Sequence, residues 1–284
     1  MIQRPSTLLR LSLVSCLFLV GCDLGTVVDS PGGPDDAHTG DPAVAGLVMN
    51  TPKGMRLCSG VLVAPHVVLT AARCVENATE IVAGFGTAVT RGGTVDAFGG
   101  TVDAFAGGTV DAFGGTVDAF GGTVDAFTTP QASFIKATEW VMHPDFAGLP
   151  VQSLHEADLA LVRLIADVTV LPVSLSDVPL GGGGALRAVG FGYADGQGQG
   201  HGVKHETALS MGTVDALSYE QSLASGSSLS MHGDVGGPTF LAIGGQEYVV
   251  GVHSSFVSDG SRAARDTRVD AHLSFIDSTL ALWQ

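Results

Sequence analysis

The stretch Met231-His232-Gly233-Asp234-Val235-Gly236-Gly237-Pro238 is the most informative part of this 284-residue chain. Two shorter stretches lie upstream of it, Leu69-Thr70-Ala71-Ala72-Arg73-Cys74 and Asp158-Leu159-Ala160-Leu161. All three resemble short motifs of the same kind of site, and their order along the chain is consistent with a single protein fold. Together they predict one fold and one functional site.

Each stretch resembles a catalytic motif of the chymotrypsin/trypsin-like serine peptidases. The first differs by one letter from G-D-S-G-G-P, with Val235 at the serine position. The second resembles T-A-A-H-C, with Arg73 at the general-base histidine, and the third resembles D-[IL]-A-L and keeps the aspartate as Asp158. The order base, acid, nucleophile is that of the chymotrypsin branch. The resemblance implies a peptidase frame that has lost two of its three catalytic groups.

The two substitutions remove the chemistry of the family. Arginine has five donors and no acceptor, so Arg73 cannot act as a base, and Val235 has no nucleophilic atom. The resemblance places the backbone N–H groups of Gly233 and Val235 at the oxyanion hole, which leaves either an anion or carbonyl site without turnover or an empty remnant. The aspartate is largely buried in the family, so we expect Asp158 to pair with Arg73. The alternative is an Arg73 side chain in solvent, with Asp158 held by backbone N–H groups.

The resemblance also implies a specificity pocket and a disulfide. Leu229 corresponds to the floor of the pocket, while Ser254 and Phe256 correspond to its wall; core packing of Leu229 is the alternative. These residues indicate an apolar, partly blocked pocket. Cys58 and Cys74 correspond to the disulfide beside the catalytic base, and a disulfide suits an exported protein.

The family further implies a partner for Asp234, because an amino terminus freed by cleavage pairs with the aspartate that precedes the nucleophile. No Lys or Arg lies between Cys22 and Lys53. A trypsin-type activation cut therefore has no site there, and no partner for Asp234 is apparent in the sequence.

The implied fold is all-β, with two antiparallel six-stranded β-barrels and a C-terminal helix within residues 41–284. The composition agrees, because 40 glycines and 14% charged residues favour short strands and many turns over long helices. Apolar runs separated by turn residues predict strands, and we expect Thr70 to cap the helical turn that carries Arg73. We expect Asp270 to cap the closing helix over 271–282.

Residues 1–22 are predicted to be a bacterial lipoprotein signal. Arg4 and Arg10 precede an apolar run too short to span a bilayer as a mature helix, and Leu19-Val20-Gly21-Cys22 resembles a lipobox. Cys22 is then acylated and anchors the protein to a membrane of the bacterial cell envelope, with 23–40 as a flexible tether. An ordinary secretory signal with a chance cysteine is the alternative.

The net charge limits the class of partner. Arg4 and Arg10 are two of the 13 basic residues, so the chain from Asp23 onward has 11 bases against 28 acids and a net charge of −17. Such a surface repels phosphate backbones, and we expect no nucleic-acid binding. The histidine spacing indicates no metal site, and we expect no cofactor.

Five copies of G-G-T-V-D-A-F fill residues 92–127, interrupted only by Ala106. One interpretation is a Gly-punctuated surface loop or weak hairpins. A calcium-binding solenoid is a second, although the known calcium repeat has nine residues. Strands that pair edge to edge are a third.

Three functions fit these observations. The first is an inactive serine-peptidase homologue that is membrane-anchored and acts by binding an unidentified protein or peptide. The second, by family assignment, is a serine-type endopeptidase or weak hydrolase. The third is a repeat-mediated adhesion or assembly protein whose barrels are only a scaffold.

Overall fold

The first half of the chain forms a closed antiparallel barrel. A computed structural model describes residues 40–89, 133–148, 157–192, 202–223, 234–256 and 263–284. The signal at 1–22, the tether up to residue 39 and the repeat array at 92–127 lie outside these ranges. The strands of the first barrel are β1 (Val44–Thr51), β2 (Gly54–Ala64), β3 (Val67–Thr70), β4 (Glu80–Phe85), β5 (Ser133–Met142) and β6 (Ala160–Leu164).

The second half forms a similar barrel. Its strands are β7 (Ala185–Gly190), β8 (His205–Val214), β9 (Ser218–Leu223), β10 (Pro238–Ile243), β11 (Gln246–Phe256) and β12 (Ala263–Arg268). The barrels close in the orders β1-β2-β3-β6-β5-β4 and β10-β11-β12-β9-β8-β7. The predicted pair of antiparallel six-stranded barrels is therefore confirmed within the described residues.

The connection that contains the repeat array joins β4 to β5. These strands are antiparallel neighbours, and Phe85 at the end of β4 is the register partner of Ser133 at the start of β5. The two ends of the connection therefore lie side by side at one end of the first barrel.

A continuous apolar core runs through the first barrel and into the second. Phe191, Phe240 and Val252 of the second half belong to the same buried cluster as the first-barrel strands. Trp283, which follows the C-terminal helix, is buried in this cluster too. The core therefore holds the two barrels together where the three sequence motifs meet.

Two short helices accompany the barrels, α1 (Ala72–Val75) and α2 (Leu273–Leu282). The predicted cap of α1 was wrong: Ala71 is the cap residue, and the Thr70 hydroxyl instead donates to the Ser59 carbonyl at 2.7 Å. In the described ranges, no helix has the length and apolar character needed to cross a membrane.

The predicted start of α2 was also wrong. A 3-10 turn (Asp270–His272) precedes the helix, which therefore begins at Leu273, and no side chain caps either segment. The Asp270 carboxylate instead pairs with Arg268 and accepts from the Leu180 N–H at 3.3 Å.

Candidate functional site

Strand pairing brings Arg73 and Asp158 together. Arg73 lies in the single turn of α1, just after β3, and Asp158 lies just before β6. β3 pairs with β6, with Thr70 opposite Ala160. Two residues that are 85 positions apart in sequence thus meet at the same end of the first barrel.

Arg73 and Asp158 form a tight ion pair, as the sequence predicts. Arg73 Nε donates to Asp158 Oδ2 at 2.5 Å, and the backbone N–H of Arg73 donates to Oδ1 at 2.9 Å. The Asp158 side chain has no exposed surface, while 17% of the Arg73 side chain is exposed. The carboxylate is thereby satisfied by a charged partner and by a backbone donor.

Ser254, predicted as part of the pocket wall, lies against this ion pair. Its hydroxyl donates to Asp158 Oδ2 at 2.8 Å and accepts from Arg73 Nη2 at 3.1 Å. A second guanidinium is close, because Arg56 Nη1 donates to the carbonyl oxygen of Arg73. Arg73, Asp158 and Ser254 therefore form a polar cluster with arginine donors around it.

The loop around Val235 is held by backbone hydrogen bonds. The Val235 carbonyl accepts from the Ser59 N–H at 2.9 Å, and the Gly236 N–H donates to the His253 carbonyl at 2.8 Å. Gly236 has φ +87°, and a Cβ at this position would lie 2.2 Å from Thr70 Oγ1. The loop thus keeps a conformation that requires glycine, although its central residue is apolar.

The predicted disulfide is confirmed: Cys58 and Cys74 are bonded. It joins β2 to α1, and Cys74 follows Arg73 directly. The Cys74 sulfur lies 3.5 Å from the Val235 carbonyl. The disulfide therefore fixes the helical turn that carries Arg73 beside the Val235 loop.

Asp234 has a partner that the sequence did not show. Its Oδ1 accepts from the Gly192 N–H at 2.8 Å, and His205 Nε2 lies 3.2 Å from the same oxygen. Register explains the arrangement, because His205 on β8 pairs with Gly190 on β7. A Cβ at Gly190 would lie 2.2 Å from Asp234 Oδ1, so glycine leaves space for the carboxylate.

Protonation of His205 is favoured in the fold. Burial alone would lower the pKa of His205, but the charge and hydrogen bond of Asp234, together with the Val203 carbonyl, outweigh it and raise the pKa above its ordinary value. Asp234 therefore favours the charged form of His205, and the two partly buried side chains are placed to form an ion pair.

A second buried carboxylate, Asp266, lies in the interior of the second barrel and has no exposed surface. It accepts hydrogen bonds from Tyr219, Thr239 and Gln221 at 2.5–2.8 Å, and His253 Nδ1 lies 3.0 Å away. Burial and the nearby Asp266 charge raise the pKa of Tyr219 well above its ordinary value. Spacing along the chain gave no signal for this cluster.

A small cavity adjoins both clusters. Its lining includes His205 and Asp234 on one side and Gln221 and His253 on the other. Within residues 40–89, 133–148, 157–192, 202–223, 234–256 and 263–284, no three His, Cys, Asp or Glu side chains are grouped to hold a metal ion.

Four of the predicted site residues cannot be placed in this geometry. Cys22, Leu229 and Gly233 lie outside the described residues, as does the side chain of Phe256. The oxyanion-hole and pocket predictions therefore remain predictions. His143, which directly follows β5, packs edge-on against His272 with ring centroids 4.8 Å apart.

Comparison with known proteins supports the chymotrypsin/trypsin-like family. Residues 31–103 match the family model Trypsin. The solved structure described as "Structure of GrC", a granzyme, aligns with a TM-score of 0.61 and 20% identity, over 85% of this chain and 95% of GrC. No curated protein matches the sequence. At this identity the structural likeness shows the fold alone, and this chain has the trypsin-like fold.

Proposed function

We propose that this chain, with its trypsin-like fold, is a catalytically inactive serine-peptidase homologue that acts by binding a protein or peptide. The observation that carries the proposal is the position of Arg73. Its Nε lies 2.5 Å from Asp158 Oδ2, where an active relative has the imidazole of its general base.

Neither proton transfer nor nucleophilic attack is available at this site. The Arg73 guanidinium has no acceptor, and two of its nitrogens already donate to Asp158 and Ser254. Val235 has no atom that could attack a carbonyl. Losing either group alone is expected to leave only the roughly 10³–10⁴-fold acceleration supplied by binding and the oxyanion hole.

The Val235 loop and the Arg73 side chain support a role in binding a peptide. The Val235 loop keeps its backbone hydrogen bonds, 17% of the Arg73 side chain is exposed, and Arg56 donates to the Arg73 carbonyl. Such donors suit a carbonyl or carboxylate acceptor on a peptide. The ligand class is therefore a peptide segment that presents acceptor groups to Arg73.

Labelling with a serine-directed phosphonate tests the absence of activity. The wild-type protein is expected to remain unlabelled by mass spectrometry and to hydrolyse no peptide ester. The variant Arg73→His with Val235→Ser is the matched comparison, because it restores both missing groups on the same frame. Stoichiometric labelling of the wild type would overturn the proposal and favour the weak hydrolase.

Attachment to a membrane of the bacterial cell envelope through acylated Cys22 is part of the same proposal. Cys22→Ser should release the protein from membranes or leave its signal uncleaved, since acyl chains carry the attachment. Cys16→Ser is the matched control, because Cys16 lies within the signal and should leave fractionation unchanged. A Cys22→Ser protein whose signal is cleaved and which still fractionates with membranes as the wild type does would show the lipobox interpretation to be wrong.

A further inference from the structure

We infer that His205 is a positioning residue, a built-in cation that holds Asp234 and thereby keeps the Val235 loop assembled without a freed amino terminus. This inference rests on the proposed function only in that the Val235 loop is the proposed binding cradle. The His205 ring lies at the start of β8, with Nε2 3.2 Å and 3.3 Å from the two carboxylate oxygens of Asp234.

The contacts of the ring identify its protonation state. Nδ1 of His205 lies 3.2 Å from the Val203 carbonyl oxygen, while Nε2 faces Asp234. A carbonyl and a carboxylate are both acceptors, so both ring nitrogens must carry hydrogen to satisfy them. A neutral ring has one N–H and would leave one of these contacts without a proton. The geometry therefore fits the imidazolium.

Asp234 requires such a cation. Only 16% of its side chain is exposed, and a carboxylate removed from water is costly unless it is paired. The sequence has no Lys or Arg between Cys22 and Lys53 at which a trypsin-type cut could free an amino terminus. His205 supplies positive charge from within the second barrel, where no cleavage is needed.

Holding Asp234 also holds the residues that follow it. The Asp234 carbonyl accepts from the Gly237 N–H at 2.8 Å, which closes a turn around Val235 and Gly236. Gly236 is fixed in turn to the His253 carbonyl. The orientation of the Val235 N–H, the donor that a bound carbonyl would use, therefore depends on the His205–Asp234 pair.

The charged groups around His205 come from several elements. His253 on β11 lines the same cavity, and Asp266 on β12 lies behind it with Tyr219 and Gln221 on β9. The sequence neighbours of His205 contact other partners. Lys204 Nζ lies 2.9 Å from the Asp41 carbonyl, and Glu206 lies 3.3 Å from Arg187. Burial lowers the pKa of Lys204 to about 8, with Asp41 opposing it, so this lysine needs a control of its own.

The pH dependence follows from the sign of the shift. The pKa of His205 is raised in the fold above its ordinary 6.5. The stabilisation from the charged pair is therefore fully present below about pH 6.5 and is lost as the pH rises through the folded-state pKa. The Val235 loop is expected to loosen as the pH rises.

Hydrogen exchange of the mature protein measures this directly, as protection factors corrected for the intrinsic effect of pH. In a peptide that spans 234–237, wild-type protection is expected to fall by about tenfold from pH 6 to pH 9. In His205→Gln, the protection factor of this peptide should be as low at pH 6 as it is at pH 9. His205→Lys, which remains charged, should keep the high value at both, while Lys204→Met should retain the wild-type profile. Protection in β1 is the internal reference.

Two results would overturn the inference: a His205→Gln profile equal to that of the wild type, or a His205→Lys profile that falls with pH as the wild type does. If His205→Gln does not fold, the pH profile of His205→Lys compared with that of the wild type still tests the inference. The measurement needs no ligand and no enzymatic activity. Labelling of the wild type by a phosphonate would therefore overturn the proposed function and leave this inference standing.

Discussion

At Arg73, a guanidinium occupies the place of an imidazole and changes what the neighbouring carboxylate does. In an active relative the aspartate orients a base. Here Asp158 accepts from the backbone N–H and Nε of Arg73 and from the Ser254 hydroxyl. The pair is asymmetric in exposure, with the carboxylate fully buried. Removing the arginine would therefore leave a buried charge.

Arg73→Ala is expected to destabilise the fold by about 3–5 kcal/mol, because it leaves the Asp158 carboxylate without its charged partner. Adding Asp158→Ala should recover part of that loss, since the stranded charge is then removed as well. Chemical denaturation of the wild type, both single variants and the double variant gives the coupling energy. Arg163→Ala is the comparison at an exposed pair, with Glu139, and should cost less than about 1 kcal/mol. If the losses in unfolding free energy of the two single variants add up to that of the double variant, the predicted ion pair is wrong.

Gly236 allows a second comparison at single-residue resolution. Gly236 and Gly245 have nearly the same positive φ, +87° and +85°, but a Cβ clashes only at Gly236. Gly245→Ala should cost about 1–2 kcal/mol for the backbone conformation. Gly236→Ala should cost a further 1–3 kcal/mol, roughly, for overpacking against Thr70. Equal losses in thermal unfolding would show that the Val235 loop is not tightly packed.

The sequence predicts the Arg73–Asp158 ion pair but not the His205–Asp234 ion pair. The reason lies in how the fold brings each pair together. The motifs place Arg73 and Asp158 at positions with known relative geometry, and burial of the aspartate then demands a donor. Asp234 also demanded a cation. Its partner comes from 29 residues upstream, across the pairing of β7 with β8, and no motif marks that position. Strand register selected the partner, and register is not visible in a single sequence.

Among the elements, β12 has a role that its length does not suggest. Asp266 on β12 accepts hydrogen bonds from side chains on β9 and β10 and contacts His253 on β11. One carboxylate therefore links four of the six strands of the second barrel. The interior of this barrel depends on polar satisfaction as well as on apolar packing.

Asp266→Ala should destabilise the protein by about 3 kcal/mol or more, because several buried donors lose their acceptor at once. Asp266→Asn keeps the shape and one acceptor oxygen, and should lose less. Asp167→Ala is the surface control, since that carboxylate is 75% exposed beside His66 and should matter little. Urea unfolding followed by circular dichroism measures all three. An Asp266→Ala protein as stable as the Asp167→Ala protein would show the linkage to be unimportant.

The same polar interior explains why β9 and β12 carry no strand signal in the sequence. Apolar runs mark strands such as β1, β3 and β6 in the sequence, because their inward positions are hydrophobic. In β9 and β12 the buried positions include Tyr219, Gln221 and Asp266. An inward-facing carboxylate or amide has the sequence appearance of an exposed residue, so these strands show no alternation of apolar and polar residues. Their identification required the barrel itself.

At the scale of the whole molecule, the repeat array is the largest departure from a simple pair of barrels. Its 36 residues, 92–127, lie in the connection between β4 and β5. The strand ends flanking this connection, Phe85 and Ser133, are register partners. The barrel therefore already holds the ends of the connection together.

Deletion of 92–127 should leave cooperative unfolding intact, with a midpoint close to that of the full chain. Residues 86–91 and 128–132 remain to join strands whose ends are adjacent, and closure entropy changes slowly with loop length. Calorimetry of the full chain and the deletion variant provides the comparison. A shuffled array of the same length and composition separates the effect of length from that of the repeat itself. Loss of the folded state on deletion, but not on shuffling, would mean that the barrel needs the length of this segment.

The pairing of Phe85 with Ser133 has a consequence for how the number of repeats can evolve. When the two ends of a connection are already bonded neighbours, doubling its length costs only about 0.6 kcal/mol in closure. Gaining or losing one seven-residue copy is then almost invisible to selection for stability. Copy number can drift in a lineage while both barrels stay unchanged, and close relatives of this chain should differ in the number of their repeats long before they differ in the strands on either side.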